Sequence, residues 1–281
     1  MTIHYAEAVL HMVKPEEPKA PTVPEVHIRK CRHGLMAFFP HDFYLGGALE
    51  RYGEYAEEES KLLLSYINEG DFVVEVGANI GCHTVALARK VGNAGRVLAF
   101  EPQRIIFQML CANLSINALW NVMAERVALG EAPGVLQVPP VDYASPGNFG
   151  GVALGTVGAE PVQVVKLDAY ALARCNLLKI DVEGMELEVL RGAVDTITRT
   201  RPILYVENDR QEKSAALVAF LRALNYDLYW HLPPLFSPDN WQANQVNDFG
   251  GVVSANMLCL PHERGIGSTL PPVVAASGTL Q

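Results

Sequence analysis

Apolar and polar positions along the middle of the chain follow two repeating patterns. Apolar runs of about five residues, typical of buried strands, alternate with longer segments in which apolar residues recur every three or four positions. The longer segments have the helical period, so the pattern indicates a mostly parallel sheet with helices on both faces. The predicted strands are Phe72–Val76, Arg96–Phe100, Val122–Leu129, Asn176–Ile180, Pro202–Val206, Tyr226–Trp230 and Val252–Leu260.

The helices are predicted between these strands, and the last two strands are expected to close the sheet as an antiparallel pair. Two further β pieces, Val135–Val138 and Val162–Lys166, surround a glycine-rich segment. Val26–Phe43 has the mixed pattern of short strands, and residues 14–25 are rich in proline and charge. The predicted helices are 56–68, Cys82–Val91, Gln103–Asn117, Met185–Thr198 and Glu212–Leu224.

Composition and charge exclude several classes of protein. The 281 residues carry a net charge of −9, which argues against general nucleic-acid binding because phosphate neutralisation needs clustered lysine and arginine. No apolar run reaches the ~20 residues of a membrane-spanning helix. The first residues lack the pattern of a signal peptide, and five scattered cysteines suit a reducing compartment. We therefore expect a cytoplasmic protein, while its oligomeric state stays open.

Four acidic residues stand at the predicted ends of parallel strands: Glu75, Glu101, Asp181 and Glu207. In open α/β sheets, ligands bind beyond the carboxyl ends of the strands, near the point where strand order reverses. The first strand is followed by the turn VEVGANIGCHT, in which two glycines allow a close approach of the backbone to a ligand. The pattern therefore predicts a ligand site at this edge of the sheet.

The chemistry of the turn indicates a nucleoside with a cationic end. Glu101, about twenty residues beyond the turn, is placed to bind ribose hydroxyls, whereas Glu75 would repel a pyrophosphate and attract an ammonium or sulfonium group. S-adenosylmethionine has these features, and the glycine spacing disfavours a nicotinamide dinucleotide. A turn that only packs a helix against a strand is the alternative. The predicted cofactor-binding residues are Glu75, Gly77, Ala78, Asn79, Gly81, His83, Thr84, Glu101, Pro102 and Asp181.

Several motifs resemble the FkbM-type family of S-adenosylmethionine-dependent methyltransferases: VEVGANIGCHT, FEP at 100–102, LLKIDVEGMELEVLRGA at 177–193 and RPILYVEN at 201–208. The resemblance extends over roughly residues 50–260. It implies a Rossmann-like, seven-stranded sheet with an antiparallel last strand, and O-methylation of a hydroxyl on a sugar, glycan or natural product. We accordingly expect a lead-in over 1–50, a methyltransferase domain over 51–260 and a flexible tail over 261–281. A non-catalytic cofactor-binding partner subunit is the alternative function.

Methyl transfer to a hydroxyl requires a group that takes the hydroxyl proton. Asp181, Glu183 and Glu207 at the strand ends are the predicted candidates, with His231 as a histidine alternative; bracing of loops is the competing interpretation for the carboxylates. Glu186 is expected to serve the helix N-terminus. We expect no metal, although Asp181, Glu207 and Asn208 offer the oxygen ligands that Mg²⁺ prefers.

Two loops are candidates for contact with the methyl acceptor. The segment 233–247 contains Asn240 and Trp241, and aromatic faces with amide groups are what a carbohydrate site uses. An ordinary surface loop would have the same composition. Asn148 and Phe149 precede two glycines that would permit a lid to move over the acceptor.

Overall fold

The computed structural model describes residues 24–274, and the predicted lead-in before residue 24 and tail from residue 275 lie outside this range. The helices are α1 Leu45–Tyr52, α2 Glu57–Ser65, α3 Cys82–Val91, α4 Arg104–Ile116, α5 Glu186–Arg191, α6 Val194–Thr200 and α7 Gln211–Ala223. The strands are β1 His27–Cys31, β2 Gly34–Phe38, β3 Phe72–Val76, β4 Arg96–Phe100, β5 Val122–Glu125, β6 Ala128–Leu129, β7 Gly134–Val138, β8 Glu160–Val165, β9 Leu177–Ile180, β10 Ile203–Glu207, β11 Tyr226–His231 and β12 Asn256–Pro261.

Seven strands form the central sheet in the order β11-β12-β10-β9-β3-β4-β5. Pairings from β10 to β5 are parallel, and β12 is antiparallel to both of its neighbours. The chain builds outward from β3 to β5, then returns to place β9 on the other side of β3. The strand order therefore reverses between β3 and β9. The predicted mostly parallel sheet with an antiparallel last strand is confirmed.

Both faces of the sheet are covered, because alternate residues of each buried strand point to opposite sides. Val74 and Leu178 lie in a core with residues of α5, α6 and α7, whereas Val73 and Leu177 lie in a core with residues of α2 and α3. Glu75 and Lys179 lie two residues after Val73 and Leu177, so their side chains point to the same face of the sheet as these two. Two charged side chains are thus directed into the layer between the sheet and α2 and α3.

Two predicted elements are each divided in the structure. The predicted strand Val122–Leu129 forms β5 in the central sheet and β6 in a separate sheet of order β6-β8-β7. The chain changes sheet beside Arg126, whose guanidinium contacts the carboxylate of Glu160 at the start of β8. The predicted helix 185–198 is interrupted at Gly192, where an added Cβ would lie 2.0 Å from the carbonyl oxygen of Gly130.

The segment before α2 is packed against the sheet domain. β1 and β2 form an antiparallel hairpin, within the stretch for which short strands were predicted. The side-chain amide of Asn113 in α4 donates to the carbonyls of Ala37 in β2 and Ile80, at 3.0 and 2.8 Å. The hairpin is therefore bonded to the same helix that supports the glycine turn. Within residues 24–274, no helix combines the length and apolar character needed to cross a membrane.

Candidate functional site

A cleft lies at the carboxyl ends of the central strands, at the reversal between β3 and β9. Segments before α1, after β3 and around residues 148–151 form its walls together with the ends of β9 and β10. Its lining residues are Asp42, Tyr44, Leu45, Tyr55, Gly77, Ala78, Asn79, Cys82, His83, Glu101, Asn148, Gly150, Gly151, Lys179, Asp181, Glu183 and Glu207. The structure thus brings together residues from seven separate parts of the chain.

The turn after β3 depends on residues with positive φ. Gly77 has φ +83°, and a Cβ there would lie 1.7 Å from the carbonyl oxygen of Asp181, so the two segments can approach only with glycine at this position. Gly81 has φ +92° and begins α3, where a Cβ would meet Leu110 at 2.7 Å. Asn79 also has a positive φ, of 50°, a conformation that asparagine tolerates.

Glu101 lies at the end of β4 and lines the cleft although its side chain is buried. Its two carboxylate oxygens accept backbone N–H groups of Asn79 at 3.0 Å and Gln103 at 2.8 Å. Burial raises the pKa of this carboxyl to about 7 in spite of these bonds. The carboxylate therefore connects the glycine turn to β4, and its remaining lone pairs are available to hydroxyl donors.

Glu75 lies beneath the turn and is fully buried, and it is not among the residues that line the cleft. One of its oxygens accepts the hydroxyl of Thr84 at 2.6 Å, while the other is buried without a partner among the described residues. Burial raises the pKa of Glu75 to about 7. The geometry therefore gives Glu75 and Thr84 a place under the ligand site rather than a wall of it.

Lys179 is the buried cation of this region, with 1% of its surface exposed. Its Nζ lies 2.9 Å from Oδ2 of Asp181. Asp181, Glu75 and Glu59 all raise the pKa of Lys179, against the opposing effect of burial. One ammonium group thus neutralises part of a cluster of carboxylates that begins below the turn and ends in the cleft.

Asp181, Glu183 and Glu207 form a group in which one carboxylate oxygen of each lies within 4.8 Å of the others. Burial and repulsion from Asp181 raise the pKa of Glu183 to about 7 and that of Glu207 to about 10. One oxygen of Glu207 is buried and has no hydrogen-bond partner among residues 24–274. A cation in the cleft would relieve this repulsion.

Glu183 is held in an unfavourable backbone conformation. Its φ is +56°, and this left-handed region costs about 1–2 kcal/mol for a residue with a side chain. Arg210 contacts its carboxylate at 2.6 Å, and Glu186 accepts the N–H of the next residue, Gly184, at 2.8 Å. Strain of this kind is concentrated at functional sites because surrounding contacts must maintain it. Glu186 itself braces the loop at the start of α5, in line with its predicted role.

His231 and Asn208 lie away from the cleft lining. The His231 ring nitrogen Nδ1 is 2.8 Å from the hydroxyl of Tyr205, and burial lowers the pKa of this histidine. The side-chain amide of Asn208 donates to Ser214 at 3.0 Å and to the sulfur of Met257 at 3.3 Å. The carboxylate that accompanies Asp181 and Glu207 is therefore that of Glu183, whereas Asn208 is turned toward α7.

His83 and Pro102 occupy different parts of the predicted cofactor region. His83 lines the cleft, and its Nδ1 lies 3.0 Å from the Ser60 hydroxyl. Burial lowers the pKa of this histidine well below its ordinary value. Pro102 instead lines an adjoining, more apolar cavity that also contacts Glu101 and Leu129. The cleft and this cavity share a wall at Gly77 and Glu101.

The four predicted acceptor residues are separated in the structure. Asn148 lines the cleft, whereas Phe149 is buried and packs edge-on against Phe39. Asn240 is buried and its amide donates to backbone carbonyls within its own loop. Trp241 is 45% exposed, and its backbone N–H donates to the Glu54 carboxylate at 2.8 Å. The 233–247 loop therefore packs against the end of α1, and neither Asn240 nor Trp241 is among the cleft-lining residues.

Several cleft residues were not predicted as site residues. Lys179 had a visible signal, because a lysine in an otherwise apolar strand must find a buried partner. Asp42, Tyr44 and Tyr55 had none, since they come from irregular segments whose position depends on long-range packing. Asp42 accepts the N–H groups of Tyr44 and Leu45 at 3.0 and 3.1 Å, which begins α1 beside the cleft.

The chain is similar in sequence to known methyltransferases. A family model described as the methyltransferase FkbM domain matches residues 75–228. The methyltransferase sdnD of Sordaria araneosa is 33% identical, over 43% of this chain and 60% of that protein. The hexuronic acid methyltransferase AglP of Haloferax volcanii is 31% identical, over 49% of this chain and 56% of that protein. The match spans 60% or less of the length of these relatives.

Two solved structures are similar to parts of this chain. The FkbM methyltransferase of Methylobacillus flagellatus is 20% identical, with a TM-score of 0.46, over 68% of this chain and 43% of that one. A SAM-dependent O-methyltransferase of Thermotoga maritima is 15% identical, with a TM-score of 0.45, over 72% of this chain and 64% of that one.

Proposed function

Because the chain belongs to the FkbM methyltransferase family, we propose that it is an S-adenosylmethionine-dependent O-methyltransferase. The acceptor in this proposal is a hydroxyl of a sugar, glycan or natural product. The main support for this proposal is the cleft where the strand order reverses between β3 and β9. A glycine turn, three clustered carboxylates and Glu101, which can accept hydrogen bonds from ribose hydroxyls, meet there. Residues 51–260 would form the methyltransferase domain.

The lining of the cleft fits this cofactor. Gly77 leaves the backbone free to contact a ligand, and Glu101 can accept hydrogen bonds from ribose hydroxyls. The apolar cavity beyond Glu101 and Pro102 has the character that an adenine ring requires. The carboxylates of Asp181, Glu183 and Glu207 would be stabilised by an ammonium or sulfonium group. When bound, the cofactor supplies an electrophilic methyl group.

The same carboxylates are the proposed proton acceptors. A base works best when its pKa is close to the working pH, and burial with repulsion from Asp181 raises the pKa of Glu183 to about 7. Glu207, with its pKa near 10, would be protonated in the free protein and able to donate a hydrogen bond. We therefore assign Glu183 as the first candidate for the base, with Asp181 and Glu207 orienting the acceptor.

The second possible role of this carboxylate cluster is to bind a divalent cation. Three carboxylate oxygens within 4.8 Å of one another are a ligand set that Mg²⁺ or Mn²⁺ would accept. In that case the residues would hold the ion, and the ion would polarise the acceptor hydroxyl. The choice of a sugar-like acceptor is supported by the hexuronic acid methyltransferase of Haloferax volcanii, whose name states its substrate class.

The experiment combines binding and turnover. Calorimetry with S-adenosylhomocysteine against NAD tests the cofactor; a preference for NAD would exclude the proposal. Turnover of Asp181→Asn, Glu183→Gln and Glu207→Gln is then measured with and without EDTA. A catalytic carboxylate predicts a loss of at least about 100-fold with cofactor affinity retained. Near wild-type rates in all three variants would leave the carboxylates structural and favour a non-catalytic partner subunit, whereas loss with EDTA and recovery with Mg²⁺ would indicate the metal.

A further inference from the structure

A second cavity, of about 520 Å³, opens beside the cofactor cleft, and its lining residues lie outside the 233–247 loop predicted to contact the acceptor. Asp42 and Tyr44 line both spaces, so the cavity and the cleft share a wall. Segment 40–44 is bonded to the loop at Gly147: the N–H of Phe43 donates to the carbonyl of Gly147, and the N–H of Gly147 donates to the carbonyl of His41. The volume is within the range of small-molecule sites, about 300–1,000 Å³.

The walls of this cavity are aromatic. Tyr44 and Phe249 lie with ring centroids 6.2 Å apart and an interplanar angle of 19°, and Phe43 beside them is 57% exposed. Phe43 and the 37% exposed Tyr44 offer apolar faces to a ligand at this open cavity, whereas Phe249 is buried against Tyr44. Ring C–H groups of a sugar pack on such faces, while its hydroxyls need polar partners at the rim.

The polar partners at this cavity form an ion pair. The guanidinium Nε of Arg51 lies 2.8 Å from Oδ2 of Asp248, and its carbon lies 5.7 Å from the centroid of the Phe249 ring. A paired arginine and aspartate offer donors and acceptors side by side, as two adjacent hydroxyls require. The charge of Arg51 is already neutralised by Asp248. Asp42 adds a second carboxylate to the lining.

We infer that this cavity is the acceptor subsite and that it selects a neutral polyhydroxylated ring over one that carries a carboxylate. This inference rests on the proposed methyltransferase function and names its substrate class. The lining of the cavity contains two carboxylates, Asp42 and Asp248, and one guanidinium, that of Arg51, which is paired with Asp248. An acidic ring would meet an excess of negative charge in this lining, whereas a neutral ring would not. The relative from Haloferax volcanii is named for an acidic sugar, whereas the acceptor proposed here is neutral.

The test uses the full chain, labelled S-adenosylmethionine and matched pairs of methyl glycosides: glucoside with glucuronide, and galactoside with galacturonide. We expect kcat/KM for the neutral member to exceed that for the acid by about tenfold or more. Phe43→Ala should lower kcat/KM for the neutral glycosides by about tenfold without altering the Kd for S-adenosylhomocysteine, because Phe43 contacts only the second cavity. Trp120→Ala, an exposed aromatic outside both lining sets, is the matched control.

The Asp248→Asn variant removes the charge of Asp248 while nearly keeping the shape of its side chain. It leaves Arg51 without its partner, so the neutral-to-acid ratio of kcat/KM should fall by about fivefold or more. Equal or better transfer to the acids in the original protein, an unchanged ratio in Asp248→Asn, or no transfer to any glycoside while S-adenosylhomocysteine binds would each overturn the inference. Failure to bind S-adenosylhomocysteine would instead refute the proposed function itself.

Discussion

Replacing Lys179 by methionine should destabilise the protein strongly and in a pH-dependent way. The lysine is 1% exposed and neutralises Asp181, while Glu59 and Glu75 are buried near enough to raise its pKa. Methionine fills a similar volume without the charge. The variant would therefore leave buried carboxylates without a counter-charge, and removing one partner of a buried ion pair costs about 3–5 kcal/mol of unfolding free energy.

The loss should be larger at about pH 8 than at about pH 5.5. Burial raises the pKa of Glu59 and of Glu75 to about 7, although Lys179 lowers both values. Removing Lys179 would therefore raise both pKa values further. At the lower pH these carboxyls take up protons and no longer need the ammonium group. At the higher pH these carboxyls must either stay charged in an apolar layer or take up a proton from a solvent that holds few. Both cost free energy of folding.

Urea denaturation followed by tryptophan fluorescence at the two pH values measures both effects. Lys61→Met is the matched control: Lys61 is exposed, pairs with Glu58 at 2.7 Å within α2, and should cost less than about 1 kcal/mol. Lys179→Arg tests whether charge alone is enough. If Lys179→Met lost no more stability than Lys61→Met, or lost the same amount at both pH values, the electrostatic role given to Lys179 would be refuted.

Two further predictions concern the cleft. Glu101→Ala should weaken binding of S-adenosylhomocysteine by about 1–3 kcal/mol through loss of charge-assisted hydrogen bonds, and unchanged affinity by calorimetry would exclude Glu101 as the ribose ligand. The ligand-free protein should lose stability as pH rises from about 5 to 7.5, because carboxyls whose folded pKa is raised hold extra protons only below that pKa. Glu59, Glu75, Glu101 and Glu183 all have their pKa raised to about 7, so a melting temperature that rises over this interval would contradict the burial described.

The regular part of the fold was readable from the sequence because its signals are local. The strands 72–76 and 96–100 and the helix 82–91 have the predicted limits, each being a short apolar run or an amphipathic segment bounded by glycine or a charged residue. The division at Arg126 had no such signal, since a strand that passes into another sheet keeps its apolar pattern. After this division the chain pairs with β8, more than thirty residues later, which no local pattern encodes.

The candidate site was readable only where it coincides with strand ends. Asp181, Glu183 and Glu207 were placed together by the rule that parallel strands end at one edge, and their oxygens do lie close in the structure. The loop with Trp241 was interpreted from composition alone. Its position against Glu54 and the end of α1 depends on hydrogen bonds to residues nearly two hundred positions earlier, which no local pattern encodes.

The place of β12 in the sheet fixes the order in which the molecule can be completed during synthesis. β10 and β11 follow one another along the chain, yet β12 lies between them. Until residues 256–261 have emerged from the ribosome, β10 has one unpaired edge and β11 has no neighbour in the sheet. Glu207 ends β10 opposite Asn256, so the rim of the cleft receives this neighbour last. A nascent chain halted before β12 would expose an apolar strand edge to chaperones or to other nascent chains.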